Sequence, residues 1–347
     1  MNWFDEIEAI PPSCDELISW LMSTKWNRNG IIFRGISNYE FKPRSKLERV
    51  LINTGIPRDT WKDRENKAVG FFKDKARLLI NSLPDDQDLL HWFSFMQHYG
   101  APTRLTDWSV SPLVACFFAY EGTLSSAINE KKEEYAALWM LNANLLRRVF
   151  PSKFLFGRDH LGVVPSSIAN KFDGHDDLKF GIDDVIYEQN YLLRQAIEKE
   201  INWPIPLPIL KADARMSAQQ ACFVFSGRLT DENEDTALDQ LLKLKEGWYN
   251  LLEKELAKFK PQPGSLITSS DIFIDENSNF VSYLEKREYV IKKIRLPWEW
   301  RENILSILAR ANINANTLFP TLDGLGKATE IYIHTGQPAT LHSDFGL

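Results

Sequence analysis

The sequence predicts an α+β protein with a mixed β-sheet at its centre and helices packed around it. Short apolar runs that are typical of buried strands occur at 31–33, 136–141 and 221–225. Longer segments with helical periodicity lie at 59–83 and 236–260. The 347 residues are 44% hydrophobic, which is enough for a sizeable core in one large domain or two.

The first elements are a short helix and a buried strand. Ser13 is a suitable N-cap for a helix over 14–22, because its hydroxyl can accept a backbone N–H of the first turn. The strand at 31–33 is expected to end at Arg34 and Gly35. An arginine at the end of an apolar strand is costly unless it is paired or faces a ligand, and both alternatives remain open.

Basic residues are concentrated just after this strand. The segment 28–49 contains six basic residues and two acidic ones, in a chain of net charge −6. Such a run is usually a solvated face, but it can also receive phosphate groups.

The stretch 96–120, MQHYGAPTRLTDWSVSPLVACFFAY, combines a strand, a turn and an apolar helix. Gly100 and Pro102 predict a turn before the strand. Ser109 or Ser111 can cap a helix that starts at Pro112, where the missing N–H of proline has no cost. Polar groups at the end of a buried strand often hold ligands, although a capped core helix is the equally simple interpretation.

The remaining elements are read from weaker patterns. A second polar–apolar junction precedes the strand at 221–225 and carries Arg215 and Gln219. The helix at 236–260 is more typical of core packing than of a partner surface. We further predict long loops over 151–183, a strand at 289–296, a helix at 298–311 and a last strand at 331–335.

Composition argues against several classes of protein. The pI of about 5.7 argues against bulk electrostatic binding of nucleic acid. Three distant cysteines and six scattered histidines have no metal-ligand spacing, so we expect no metal. With no signal-peptide pattern and no apolar run long enough to span a membrane, we expect a cytoplasmic protein that makes no membrane contact.

Four segments resemble the successive motifs of the FRG domain, which is named for a Phe-Arg-Gly signature. They read IIFRG, QHYGAPTRLTDWSVSPLVACFFA, ARMSAQQACF and LFPTLDGL. The resemblance divides the chain into an N-terminal helical segment (1–27), an FRG domain (28–330) and a C-terminal tail or edge strand (331–347).

A weaker resemblance links the chain to ADP-ribosyltransferases of the arginine, Ser-Thr-Ser, glutamate type. In those enzymes a strand arginine holds NAD, and a later strand ends in Ser-Thr-Ser before a buried helix. Arg34 matches the arginine, and Asp107-Trp108-Ser109 lies where Ser-Thr-Ser would be. The resemblance implies a split mixed sheet and NAD as the substrate.

The resemblance also implies a set of site residues that should converge on one cleft. NAD would be held by an arginine fork on the pyrophosphate and an aromatic ring, Tyr99 or Trp108, on the nicotinamide. The expected catalytic residues are Asp107, Gln219 and Arg215. The expected NAD-binding residues are Arg34, Gly35, His98, Tyr99, Thr103, Arg104, Trp108 and Ser109.

The expected catalytic glutamate has no counterpart in this sequence. The corresponding position reads Gln219-Gln220-Ala221, and glutamine carries no negative charge. Either Asp107 supplies the carboxylate, or another acid such as Glu65 does, or the site binds a nucleotide without transferring it. A structural ion pair of Asp107 with Arg104 or Arg215 is the competing explanation of these charges.

The leading interpretation is an ADP-ribosyltransferase-like enzyme that modifies nucleic acid or protein. The resemblance suggests a bacterial toxin or phage-defence effector, with an antitoxin or another protein as partner. One alternative is a non-catalytic module that binds nucleotide or RNA through the basic segment 28–49 and aromatic rings. A second alternative is a protein-interaction module that uses the helix at 236–260.

Overall fold

The computed structural model describes most of the chain, and the following account covers that part alone. The described residues are 8–23, 30–121, 134–143, 146, 190, 193–207, 213–243 and 291–335. The predicted loops at 151–183, the distal part of the helix predicted over 236–260, Arg28 and the final twelve residues lie outside these ranges.

Seven strands of the described chain form one mixed sheet. They are β1 (Glu8–Ala9), β2 (Ile31–Ile36), β3 (Thr106–Ser109), β4 (Tyr135–Asn142), β5 (Ile205–Leu207), β6 (Ala221–Phe225) and β7 (Ile291–Pro297). Their order is β1-β7-β4-β2-β3-β6-β5. The β1–β7 pair is parallel and every other neighbouring pair is antiparallel, which confirms the predicted mixed sheet and α+β class.

The pairing between β2 and β3 is the shortest between neighbouring strands of this sheet. Within the described chain these strands pair at Phe33 opposite Ser109, whereas β2 pairs with β4 from Ile31 to Ile36. The seven strands therefore form a continuous sheet with one thin junction, and the side chain of Arg34 starts beside that junction.

Helices cover both faces of the sheet. They are α1 (Cys14–Leu21), α2 (Lys46–Thr54), α3 (Trp61–Ala76), α4 (Leu89–His98), α5 (Pro112–Glu121), α6 (Ala214–Ala218), α7 (Ala237–Lys243), α8 (Arg301–Arg310), α9 (Ala315–Leu318) and α10 (Leu322–Thr335). Short 3₁₀ turns precede α3 (Arg58–Thr60) and α8 (Trp298–Trp300).

Two apolar clusters sandwich the sheet. Phe33 belongs to the cluster formed with α1, α5, α8, α9 and α10, whereas Ile32 belongs to the cluster formed with α4, α7 and residues 193–207. Neighbouring residues of a strand alternate between its faces, so β2 contributes to both clusters. The sheet is thus the middle of three layers.

The predicted helix starts are confirmed. The Ser13 hydroxyl accepts the Glu16 N–H at 3.2 Å at the start of α1. Pro112 is the first residue of α5, and the Ser111 hydroxyl accepts the Val114 N–H at 3.3 Å. Of the two candidate caps, Ser111 is the one that caps α5.

Three local predictions are wrong. The strand predicted at 31–33 continues to Ile36, so Arg34 and Gly35 lie inside β2. The helix predicted over 59–83 ends at Ala76, and Leu79 beyond it is 82% exposed. Residues 331–335 were expected to form a last strand but are the end of α10. Ala328 of this helix is buried in the apolar cluster, and this packing outweighs the strand propensity of the residues that follow.

The described part of the predicted 236–260 helix packs in the core. It is α7, and Leu238, Leu241 and Leu242 are all buried against the sheet. This supports core packing for 237–243 in preference to a partner surface. Among the residues that the structure describes, none of the helices has the length and apolar character needed to cross a membrane.

Candidate functional site

Arg34 lies on β2 beside its short pairing with β3. Its Nη1 donates to the main-chain oxygen of Asp107 at 2.8 Å. Its Nε is buried and has no hydrogen-bond partner among the described residues. Burial lowers the pKa of Arg34 to about 10, with Arg49 adding to this effect and Asp107 opposing it. Arg34 is thus a half-buried cation, and some of its N–H groups remain available for further hydrogen bonds.

Asp107 presents an exposed carboxylate next to Arg34. Gln97 Nε2 donates to Asp107 Oδ1 at 2.6 Å, and Gln97 Oε1 accepts the Thr103 hydroxyl. The hydroxyl of Thr103 accepts the Leu105 N–H at 3.2 Å. Thr103, one of the expected NAD-binding residues, therefore acts on Asp107 through Gln97 in this structure.

The N-terminal turn of α2 lies against the same segment. Leu47 N donates to Thr103 O at 3.2 Å, and Lys46 Nζ donates to Gly100 O at 2.6 Å. Arg49 is three residues after Lys46, on the same side of the helix. Its pKa is lowered by burial, against the opposing effect of Asp107.

We call Arg34, Lys46 and Arg49 the basic cluster. Each donates to a backbone carbonyl, and within the described ranges none has a carboxylate at ion-pair distance. Sequence reasoning did not assign Lys46 and Arg49 to the site, although both belong to the basic segment 28–49.

Tyr99 and His98 follow at the end of α4. Tyr99 is 57% exposed and packs edge-on against Phe95 and His98, with 4.8 Å between ring centroids in each pair. His98 Nδ1 lies 2.5 Å from Asp213 Oδ2, and Asp213 caps α6. Of the two rings expected to stack on nicotinamide, Tyr99 is the accessible one.

Trp108 and Ser109 are buried, at 3% exposure each. Trp108 packs in the core and donates its indole N–H to Thr106 Oγ1 at 3.0 Å. Ser109 donates to Gln219 O at 2.8 Å and accepts the Ser111 N–H at 3.0 Å. These contacts give both side chains a role in holding β3 in the fold.

Gly35 makes room for α5. A Cβ at this position would lie 2.0 Å from Ala115 O and 2.4 Å from Ala119 N, both backbone atoms. Gly35 is one of the expected NAD-binding residues, but the space that its missing Cβ leaves is filled by the backbone of α5.

Arg104 forms a buried ion pair with Glu65. Its Nε and Nη2 donate to the two Glu65 oxygens at 2.6 and 2.5 Å, and Nη1 donates to Gly227 O. The ion pair considered between Arg104 and Asp107 is therefore replaced by one between Arg104 and Glu65 of α3. Because Glu65 is neutralised and only 5% exposed, it is also poorly placed to serve as the catalytic acid.

Gln219 and Arg215 adjoin β3 but contact a different segment with their side chains. Gln219 Nε2 donates to Leu318 O at 3.0 Å, and the Arg215 guanidinium lies 4.9 Å from the centre of the Phe319 ring. Arg34 and Asp107 lie in contact as expected, whereas convergence of these residues with Gln219 and Arg215 on one cleft stays a prediction. Gln219 is joined to the same strand through Ser109, two residues further along.

Lys42 and Arg44 of the basic segment bind an acidic loop at 231–235. Arg44 Nη2 donates to the carbonyls of Asp231, Glu232 and Glu234, and Lys42 Nζ lies 3.6 Å from Asp235. These contacts tie Lys42 and Arg44 to the acidic loop, whereas the basic cluster makes no contact with that loop in the described chain.

One partly open cavity of about 30 Å³, room for a single water molecule, is bordered by Glu48, Arg104 and Arg228, and no residue of the basic cluster lines it. Among the described side chains, no group of three or more His, Cys, Asp or Glu is placed to hold a metal ion.

Comparison with known proteins supports part of the sequence interpretation. A family model, the FRG domain, matches residues 29–127. The matched region contains the basic cluster, Gln97 and Asp107, and it supports the FRG resemblance for that part of the chain. No curated protein and no solved structure matches the chain, so the resemblance to ADP-ribosyltransferases has no further support from these comparisons.

Proposed function

We propose that the chain binds NAD or a related phosphate-bearing nucleotide at the basic cluster. The observation that carries the proposal is the state of Arg34, which is half-buried, lies close enough to Arg49 for that cation to lower its pKa, and has a buried Nε without a hydrogen-bond partner among the described residues. Burial and the nearby Arg49 both disfavour the charged form of Arg34, Asp107 only partly opposes this, and ionisable groups perturbed in this way are enriched at functional sites.

The second part of the proposal is transfer of ADP-ribose. The bond between nicotinamide and the ribose anomeric carbon would break, and a nucleophile of a nucleic-acid or protein acceptor would attack that carbon and release its proton to solvent. Asp107 is the exposed carboxylate beside Arg34, and it would stabilise the positive charge that develops on the sugar. Tyr99 would supply a stacking surface. A toxin or phage-defence role, with an antitoxin or another partner, rests on the resemblance.

Replacing Arg34 by lysine should weaken NAD binding at least about tenfold while the protein folds normally. Lysine keeps the charge but lacks the planar fork that bonds two oxygens at once. A charged hydrogen bond in a shielded site is worth about 1.5 to 3 kcal/mol, or roughly tenfold or more in affinity. Isothermal titration calorimetry with NAD measures the effect, and circular dichroism and the melting temperature report folding.

The matched control for this variant is Arg310→Lys, at an exposed position on α8. Its NAD affinity should equal that of the wild type. Equal NAD affinities for Arg34→Lys and wild type would show that Arg34 is not part of the binding site. Failure of the wild type to bind NAD would refute the proposal itself.

Replacing Asp107 by asparagine should reduce nicotinamide release about a hundredfold and leave NAD affinity within about threefold. Asparagine has the same shape but no charge, and an exposed position should tolerate it with little change in stability. Chromatographic detection of free nicotinamide measures the reaction, with Asp59→Asn as an exposed control. A loss of melting temperature without a loss of reaction would indicate a structural role for Asp107.

Non-catalytic binding of nucleotide or RNA is the second candidate. The exposed Tyr99 ring beside the basic cluster supports it, because a base can stack on an accessible aromatic ring. NAD binding without nicotinamide release, together with salt-sensitive RNA binding that is lost in Tyr99→Ala, would favour this candidate.

A further inference from the structure

Arg49 is a cation near Asp107 that forms no ion pair within the described chain. Arg104, Arg58 and Arg228 each have a carboxylate partner at 2.5 Å. Arg49 instead donates one Nη1 hydrogen to Arg44 O at 2.8 Å, and within the described part of the chain Asp107 and Glu48 act on it without either forming an ion pair with it. An arginine held in this way keeps its full charge and most of its donors.

The position of Arg49 is fixed from two directions. Ser45 and Glu48 form a capping box that starts α2, and Glu48 also accepts both the N–H and the hydroxyl of Thr230. Arg44, whose carbonyl holds Arg49, is itself bound to the acidic loop at 231–234. Arg49 is therefore attached to a well-anchored helix start and not to a free segment.

The same helix start brings Arg49 to the site of Arg34. Lys46 and Leu47 contact the segment 100–103, which leads directly into β3 and Asp107. Arg34, on β2, donates to the main-chain oxygen of Asp107. The charge of the exposed Asp107 carboxylate acts on both Arg34 and Arg49, so two guanidinium groups from separate elements lie near it.

We propose that Arg34 and Arg49 bind the two phosphates of a diphosphate-bridged nucleotide, so that Arg49 determines specificity for a diphosphate over a monophosphate. This inference rests on the proposed nucleotide binding and names its ligand class. A single arginine would suffice for one phosphate, whereas two forks on separate elements fit two adjacent anionic groups.

Charge-matched ligands test the inference. At neutral pH, AMP carries roughly two negative charges on one phosphate, and ADP-ribose carries about the same charge spread over two phosphates. Wild type should bind ADP-ribose at least about tenfold more tightly than AMP, as measured by calorimetry at constant ionic strength. In Arg49→Gln the two affinities should come within about threefold of each other, because the second phosphate loses its partner.

Two further variants separate the possible failures. Arg34→Gln should lower the affinity for both ligands, and the exposed control Arg310→Gln should change neither affinity. If wild type binds neither ligand, the proposed nucleotide binding fails and this inference fails with it. If wild type binds both and Arg49→Gln keeps the tenfold preference, the role of Arg49 is overturned while nucleotide binding stands.

Discussion

Replacing Arg104 by methionine should lower the free energy of unfolding by about 3 to 5 kcal/mol. The Arg104 and Glu65 side chains are 4% and 6% exposed and form a two-pronged ion pair. Methionine would fill much of the space but leave a buried carboxylate without a partner, which is the costly outcome for a buried pair. Guanidinium-induced unfolding measures the change.

Two controls separate the buried pair from general effects of losing an arginine. Arg77→Met breaks an exposed pair with Asp86, so it should cost less than about 1 kcal/mol. The double variant Arg104→Met with Glu65→Leu should be more stable than Arg104→Met alone, because neither charge remains buried. A loss below about 1 kcal/mol for Arg104→Met would show that Glu65 has another source of stabilisation.

Replacing Gly35 by alanine should destabilise the protein by about 3 kcal/mol or more, at the upper end of the range for overpacking. The added methyl group would overlap backbone atoms of α5 at Ala115 and Ala119, and a helix backbone cannot move aside as a flexible side chain can. Because Gly35 follows Arg34 on β2, NAD affinity should fall together with stability. Thermal unfolding and calorimetry measure the two effects.

Gly70→Ala provides the matched control. Gly70 lies within α3, and a Cβ there would meet no described atom within 4 Å apart from its chain neighbours and the backbone of its own helix. The same substitution should therefore stabilise the protein by about 0.5 to 1 kcal/mol through helix propensity. A Gly35→Ala protein as stable as the wild type would mean that α5 can shift away from the sheet.

Local rules account for the elements that sequence reasoning predicted correctly. Ser13 caps α1 and Pro112 opens α5, because capping and the proline rule involve residues a few positions apart. The strand at 221–225 was recognised from a short apolar run of strand length. The last helix was mistaken for a strand at 331–335, since strand propensity there is outweighed by packing of α10 on the core.

The candidate site was predictable in part. The sequence pointed to Arg34 and to the segment 98–109, and the contact between Arg34 and Asp107 confirms that they meet. The sequence alone did not distinguish side chains that face solvent from side chains that are buried and stabilise the fold. Tyr99 and Trp108 were equivalent as candidate stacking rings, but the first is 57% exposed and the second 3%.

The amino-acid sequence by itself determined the α+β class, the caps and the chemical groups available around Asp107, because these depend on composition and on neighbours along the chain. The tertiary structure alone decided that Arg104 is neutralised by Glu65, 39 residues away, and that Arg49 remains without a carboxylate partner in the described chain. Both are arginines in a polar stretch of sequence, and nothing local distinguishes them. The charge that a site retains depends on which acids the fold brings close, since ion pairs form through space and not along the chain.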